Sequence, residues 1–372
     1  MRRVAVVGAG WAGATAARTL HDSGFDVEVL EAAPVVGGHA RVETLNGVVY
    51  EPNGAHIFHT SNEGVARFVQ GFGLVRPYEH GVLTALYLDD EAEPRLVSWP
   101  PQVAELERLP RWPEIEQELA ALPPAPAGDD FETYVISMMG PTLYTLFIRD
   151  YTVKQWGCEP STLSSSFAPK RVELRRDGHR RLFRDRWEFF PPRGVNEVIE
   201  AVLRPVAVTC GARVAMQDLD ELSRHADAAI ITAPLDDFVG RSGEVAWRGI
   251  SMRSRFLSTT SGGTATPAYV INHPSPRVPY TRTVETKHAT GQEVEGTVVS
   301  EEHPGAPARH YPVPTVDHRH EARNAQLQRE IVDNAAMPVW FCGRLANYQY
   351  INQDEAISQG LECARSVAAK LA

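Results

Sequence analysis

The stretch Arg3-Val-Ala-Val-Val-Gly8-Ala9-Gly10-Trp11-Ala12-Gly13 decides how the chain begins to fold. A short apolar run ends in glycines. Ala14-Thr-Ala-Ala-Arg-Thr-Leu20 follows, with small and apolar residues at 13, 16, 17 and 20, the spacing of one helix face. Gly24 ends that helix, Asp26-Val-Glu-Val-Leu30 resumes as a strand, and Glu31 stands at the strand's carboxyl end. Strand, glycine-rich turn, helix, strand and acid, in that order, are what dinucleotide binding requires. Gly8 permits the tight turn, Gly10 lets backbone approach a pyrophosphate, and Gly13 lets the helix pack on the strand. The helix N-terminus, opening with Trp11 and Ala12, faces the phosphates, and Glu31 can accept from ribose hydroxyls. Alone, such a glycine pattern is an ordinary turn; its flanking elements make it a nucleotide site.

Working outward, the tail closes the same fold. Pro338-Val-Trp-Phe-Cys342 reads as a strand, Gly343 turns it, and Ile357, Leu361, Ala364, Ala368 and Leu371 line one helix face. Ala228-Ala-Ile-Ile-Thr-Ala233 is a buried-strand pattern that should return to the parallel sheet, and Pro191-Pro-Arg-Gly194 introduces a helix at 195–203. Residues 41–58 read as a hairpin and 82–88 as a strand. Helical fragments are expected at 103–109 and 115–122, and one helix over 130–157. Several short strands, mostly antiparallel, are expected over 245–310. The expected fold class is therefore α/β: a discontinuous Rossmann-like dinucleotide domain (1–78, 192–235 and 333–372), an inserted helical domain (99–165) and an inserted antiparallel-sheet domain (79–98, 166–191 and 236–332).

Composition sets the outer limits. The 372 residues predict two or three domains. Apolar residues at 43% and charged residues at 23% exclude a disordered chain, a collagen-like fibre and a small disulfide scaffold. No apolar run is long enough to span a membrane, and the N-terminal apolar run breaks at Gly8, too early for a secretory leader. With 47 acidic and 37 basic residues the net charge is −10, which disfavours nonspecific binding to nucleic acid or an acidic membrane. It leaves room for a small anion held by a local group of arginines. Cys158, Cys210, Cys342 and Cys363 form no CxxC and read as reduced thiols of a cytoplasmic protein. His56 and His59 lie three apart without a supporting set of cysteines or carboxylates, so no metal site is expected.

After Glu31 comes Ala-Ala-Pro-Val-Val-Gly37-Gly38-His39-Ala40. This second glycine pair resembles the FAD-binding fold of the amine oxidase and desaturase type, in which the extra glycines pass close to the flavin side. The resemblance implies FAD rather than NAD.

Five further segments resemble one family. They are Gly54-Ala-His-Ile-Phe-His-Thr60, Tyr151-Thr-Val-Lys-Gln-Trp-Gly157, Lys170-Arg171, Val278-Pro-Tyr-Thr-Arg282 and Cys342-Gly-Arg-Leu-Ala-Asn-Tyr-Gln-Tyr350. Their residues, order and spacing are similar to those of the UDP-galactopyranose mutase family from end to end. That resemblance implies an isomerase using reduced FAD without net redox. Flavin N5 attacks the anomeric carbon of a nucleotide sugar, UDP leaves, and the adduct opens and recloses from pyranose to furanose. It implies phosphate contacts from Arg171, Arg282, Tyr311 and Tyr350. Phe147, Tyr151, Thr152, Gln155 and Trp156 would hold the nucleobase, and Asn272 would approach the substrate. His56, Arg344 and Gln353 would stand against the flavin and His59 near the reacting N5, with His39 beside the second glycine pair. It also implies an external reductant such as NAD(P)H or a reductase, and a homodimer through the helical insert.

Departures gather where sugar and phosphates would bind. Leu182-Phe183 stands where the family usually has Tyr-Phe, the strand near residue 80 reads His-Gly-Val-Leu, and Cys342 and Gln353 replace a common Gly and Met. They point to the same chemistry on a different nucleotide hexose as an alternative. An amine-oxidase-like FAD oxidoreductase and a silent nucleotide-sugar binder remain as further readings. Most of Arg175, Arg176, Arg180, Arg181, Arg184 and Arg186 read as facing water or as holding a mobile flap, and the segment 175–186 as a lid over an anionic ligand.

Overall fold

The computed structural model describes residues 2–88, 91–170 and 172–372. Five parallel strands form one sheet in the order Ala207–Cys210, Asp26–Glu31, Arg3–Val7, Ala228–Ile231, Val339–Phe341. Residues distant in sequence thus meet in one sheet, and alternation along Arg3–Val7 divides them between two faces. Val4 and Val6 pack with the helices Trp11–Asp22, Val195–Leu203 and Gln353–Leu371. Ala5 packs on the opposite face with Phe238, Leu327 and Ile331. Burial on both faces is what keeps such strands apolar throughout. Gly360 brings the last helix onto the first: a Cβ there would lie 2.5 Å from the Ala12 carbonyl oxygen.

The six-stranded sheet runs Trp247–Leu257, Thr297–Pro312, Arg282–Val284, Val270–Asn272, Val82–Leu86, Arg95–Trp99. All its pairs are antiparallel except Val270–Asn272 with Val82–Leu86. The expectation of short strands over 245–310 fails for its two long members. The second of them runs on through Pro304 and Gly305, because the register shifts at Arg248, Gly249 and Ile250 and carries the ladder past them. A small sheet joins Phe58–Thr60 and Arg76–Pro77 to Trp187–Phe190, and the hairpin at Glu43–Leu45 and Val48–Tyr50 forms as expected.

The helix expected over 130–157 is broken. Phe131–Met139 ends at Gly140, whose φ of +84° an L side chain rarely adopts, and Pro141 follows. Tyr144–Arg149 is a π-helical turn leading directly into the α-helix Asp150–Trp156. Such widened turns recur at functional sites because they re-aim side chains. Helix Arg319–Asn334 has no counterpart in the sequence reading; it is polar except for the stripe that buries Leu327 and Ile331. Among the described residues no helix is long and apolar enough to cross a membrane.

Candidate functional site

The glycine turn is closed in space as the chemistry demands. Gly8 has φ +105°, and a Cβ there would lie 2.1 Å from Thr232 Oγ1. At Gly13 a Cβ would lie 2.0 Å from the Gly8 carbonyl oxygen. Gly10 caps helix Trp11–Asp22 with no side-chain bond, and no acid occupies the first turn, so the positive end of the helix meets no competing anion of its own. The second glycine pair folds onto the first: the Gly37 amide donates to the Ala9 carbonyl at 2.9 Å, and a Cβ at Gly38 would lie 3.1 Å from Gly10 Cα. Glu31 accepts from the Ala9 amide at 2.6 Å and the Ala33 amide at 2.7 Å. Each carboxylate oxygen keeps acceptor capacity for a ribose hydroxyl. A cradle that side chains would fill, an open helix end and a placed carboxylate together fit a dinucleotide.

Beside this cradle stand imidazoles held neutral. His39 stacks on His310 at 4.6 Å. Burial, then His310 and Arg344, hold His39 well below its ordinary pKa, and burial first and Arg344 second bring His310 down to about 4. His310 Nδ1 accepts from the Ile250 amide at 3.2 Å, so its proton resides on Nε2, a buried atom with no partner among the described residues. His56 falls to about 3, by burial and then Arg344. Arg344 donates to the His310 and Ile351 carbonyls and lies over the rings of Tyr311 and Tyr350 at 5.6 Å each. Gln353 accepts from Trp11 Nε1 at 2.6 Å and donates to the His56 carbonyl at 3.0 Å. This one amide ties the glycine turn to the Gly54–Thr60 segment.

A cavity of about 300 Å³ adjoins these residues. His56, His59, Arg344 and Gln353 form part of its wall. Helical residues Phe147, Ile148, Tyr151, Thr152, Gln155 and Trp156 form another, together with Phe167. Trp156 packs edge-on against Tyr311 and Tyr350, at 6.3 and 6.1 Å. Gln155 Oε1 is buried without a partner among the described residues. Such an acceptor costs about 1–3 kcal/mol unless a ligand donor meets it.

The six-stranded sheet contributes Val82, Val270, Asn272, Arg282 and Tyr311. Asn272 and Arg282 are cross-strand partners. Arg282 donates to Glu302 at 2.9 Å through Nε and to the Tyr311 hydroxyl at 3.2 Å through Nη2. Burial works against the Arg282 charge, but Glu302, Tyr151 and Tyr311 outweigh it and hold the guanidinium firmly ionised. Burial, and Glu302 after it, raise Tyr311 to about 12, so its hydroxyl remains a donor near neutrality.

All the expected site residues that line the cavity are thus brought together from five separate stretches. Arg171 lies outside the described residues. Of the two expectations for the basic segment, Arg175 does not face water but holds the chain. It is 2% exposed, pairs with Glu173, and donates to the main-chain oxygens of His179, Arg181 and Leu182. It is therefore a buried staple of the loop at 179–182, while Arg176, Arg180, Arg184 and Arg186 are exposed. The thiols of Cys342 and Cys363, distant in sequence, are hydrogen-bonded neighbours, both free.

Sequence reasoning placed the segments of His80 and Phe183 where sugar and phosphates would bind without giving either residue a role, and it missed Trp99 and Asp185. His80 is buried, lines the cavity and is lowered to about 3 by burial, then by His59 and Arg282. Trp99 and Phe183 also line it. Asp185 bonds to His59 Nδ1 at 2.7 Å from behind. A lone His before a strand and an Asp among arginines carry no periodic signal.

Fold and site together define a nucleotide-binding α/β protein with a Rossmann-type domain and a buried, cationic, aromatic-walled ligand cavity. The family model for UDP-galactopyranose mutase matches residues 146–350, more than half the chain, and that for the NAD(P)-binding Rossmann-like domain matches residues 6–72. The chain belongs to the UDP-galactopyranose mutase family, whose members are isomerase-type enzymes, and family and domain together imply a flavin-type cofactor. It is 27% identical to the probable UDP-galactopyranose mutase of Klebsiella pneumoniae, over 98% of this chain and 94% of that one. It is 26% identical to the dTDP-fucopyranose mutase of Escherichia coli, over 98% of each. A crystal structure of reduced UDP-galactopyranose mutase superposes with a TM-score of 0.80 at 16% identity, covering 100% of this chain and 96% of that one. An oxidoreductase from Methanosarcina mazei follows the same fold, with a TM-score of 0.62 at 14% identity over 99% and 100% of the two chains.

Proposed function

We propose that this protein interconverts the pyranose and furanose forms of a nucleotide-linked hexose, with UDP-galactose the default substrate. The observation that carries the reading is Arg282. It is a half-buried guanidinium fixed by Glu302, beside Asn272 and the Tyr311 hydroxyl, facing a cavity that the Trp156 wall and the His56–Gln353 wall share. A reduced FAD in the glycine cradle would supply a nucleophile toward the anomeric carbon, and the cradle, Glu31 and the neutral imidazoles fit that group.

The chain's own residues do the rest. When the bond from the anomeric carbon to the diphosphate breaks, its electron pair passes to a phosphate oxygen. Arg282 gains more from that charge than from the intact sugar ester, which is the condition for raising a rate rather than an affinity. Glu302 keeps the guanidinium aimed. Tyr311 and Tyr350 would donate to the phosphates, and Arg171 is proposed as a second cationic contact. Tyr151, Thr152, Phe147 and Trp156 would clasp the nucleobase, and the orphaned Gln155 Oε1 suits a pyrimidine imide N–H. Asn272 would orient the sugar. His59 would move a proton at a sugar oxygen. The aromatic walls exclude water that would otherwise hydrolyse an opened sugar.

A second reading changes the sugar, not the chemistry. Leu182 lines the cavity where the family usually presents a tyrosine, next to Val82 and Val270, so this wall favours a less hydroxylated hexose. The similarity to a dTDP-fucopyranose mutase supports it. An external reductant such as NAD(P)H or a reductase, and a homodimer through the helical insert, complete the proposal.

The deciding experiment reduces the protein with dithionite, adds UDP-galactopyranose, UDP-galactofuranose or dTDP-linked hexoses, and follows products chromatographically. Interconversion without consumption of reducing equivalents is expected. Oxidised sugar, or tight binding with no turnover across the panel, would overturn the reading.

A further inference from the structure

His59 stands on the strand Phe58–Thr60, is 8% exposed and lines the cavity. Two contacts fix its ring, and both come from one segment. Phe183 lies flat against it, with ring centroids 3.5 Å apart and 10° between the planes. Asp185 Oδ2 meets Nδ1 at 2.7 Å. The Asp185 carboxylate is itself aimed: Ser61 Oγ donates to its other oxygen at 2.7 Å and accepts from the Arg186 amide at 3.3 Å. A bonded chain therefore runs from main chain through Ser61 and Asp185 to the imidazole. Its carboxylate member belongs to the stretch directly after the loop at 179–182 that Arg175 staples.

A carboxylate only accepts, so the proton of this bond belongs to His59 Nδ1. The bond made by one ring nitrogen decides the state of the other. We propose that Asp185 is a positioning residue: it keeps the proton on His59 Nδ1 and leaves Nε2 as the nitrogen that exchanges a proton with the sugar. This inference rests on the mutase reading for its chemistry but not for its geometry.

Proton balance suits one nitrogen. The ring oxygen takes up a proton as the pyranose opens, and the O4 hydroxyl gives one off as the furanose closes. With Nδ1 protonated toward Asp185 throughout, the doubly protonated ring gives its Nε2 proton to the ring oxygen and, then neutral, takes back on Nε2 the proton that the O4 hydroxyl releases. Other charged or titratable groups also face the ring: Glu188 from the neighbouring strand, Asp354 from the start of the last helix, and His80 from before the strand Val82–Leu86. None of the three belongs to the 183–185 stretch that holds the ring. Asp185 supplies the direct bond, and the His59 bond is the main cause holding its carboxyl below the usual range.

The test pairs Asp185→Ala with Asp185→Asn, whose amide oxygen can still accept from Nδ1–H in the same shape. In the flavin-loaded protein with ¹⁵N-labelled histidine, the His59 signals are assigned by their loss in His59→Gln. Wild type and Asp185→Asn should show a protonated Nδ1, and Asp185→Ala should shift the neutral ring toward Nε2–H. Turnover of the reduced enzyme should fall about 10- to 100-fold in Asp185→Ala, the scale of general acid–base help. Asp185→Asn should recover most of that loss, and UDP affinity should stay within about twofold in both. An unprotonated Nδ1 in wild type, or an Nδ1 unaffected by Asp185→Ala, would overturn the proposal. So would a joint loss of UDP affinity and turnover in both variants, which marks a structural role. If wild type turns over no nucleotide sugar, the mutase reading fails, while the ring-nitrogen spectrum still decides what Asp185 does to His59.

Discussion

The glycine cradle and the substrate cavity are neighbours built on opposite plans. The cradle is backbone. Gly8, Gly10, Gly13, Gly37 and Gly38 contribute an absence of side chains, all within the first forty residues, and Gly10, Gly13 and Gly38 lie against the main chain of another glycine in the set. The cavity is side chain. Its Arg282, Tyr311, Trp156, His59 and Arg344 come from stretches far apart, and each is aimed by a partner from yet another stretch. A backbone site fails all at once when one atom is added. A side-chain site should fail by degrees, according to which part of the ligand each residue meets.

That contrast can be broken at either end. The largest effect is expected from Gly13→Val, whose added carbon would lie 2.0 Å from the Gly8 carbonyl oxygen. Protein purified from this variant should carry no flavin, read by its visible absorbance, and normal flavin content would sink the close-packed cradle. Next comes Arg282→Ala. Turnover should fall by at least about 10²-fold, the scale of one transition-state charge contact. Near-normal turnover would remove Arg282 from the leaving-group site. Trp156→Ala should weaken UDP binding about tenfold, the scale of one base–aromatic stack, with little change in turnover once saturated. A turnover defect at unchanged affinity would contradict the platform role.

The smallest effect concerns Glu51, a buried carboxyl behind the cavity that accepts from the His56 amide, the Tyr269 hydroxyl and Thr286. Burial raises it to about 7, against the lowering effect of those bonds. Its folded value exceeds its unfolded one. From about pH 4.5 to 7 the unfolded chain therefore releases a proton that the folded chain keeps, and stability declines with rising pH across that window. Glu51→Gln keeps the shape and removes the proton. Its melting temperature should exceed that of wild type at pH 8 by a few degrees, on the order of 1–2 kcal/mol, with the gap closing at pH 5. Parallel melting curves at both pH values would show that Glu51 does not titrate there.

Legibility in the sequence follows the same division. The helix Val195–Leu203, the strand at Ala228–Ile231 and the return of the tail to the sheet were readable, because their apolar spacing matches one periodicity. The long strands were not, because Pro304 and Gly305 look like a break when the bulge opposite them is unseen. The break at Gly140 lay in plain view as a Gly-Pro pair inside an otherwise helical run, whereas the π-turn after it carries no signal in its own residues. Of the site, the residues expected from contiguous family motifs meet at one cavity. His80 and Asp185 were given no role of their own, because each gains its meaning from a partner in another segment.

By itself the sequence determined the nucleotide cradle, because that site consists of local backbone conformations that glycine spacing dictates. Tertiary structure alone decided which nitrogen of His59 carries a proton, that Arg175 is a buried staple rather than a solvated charge, and which walls the sugar would meet. Those properties arise from desolvation and from bonds between residues that only the packed chain brings within reach.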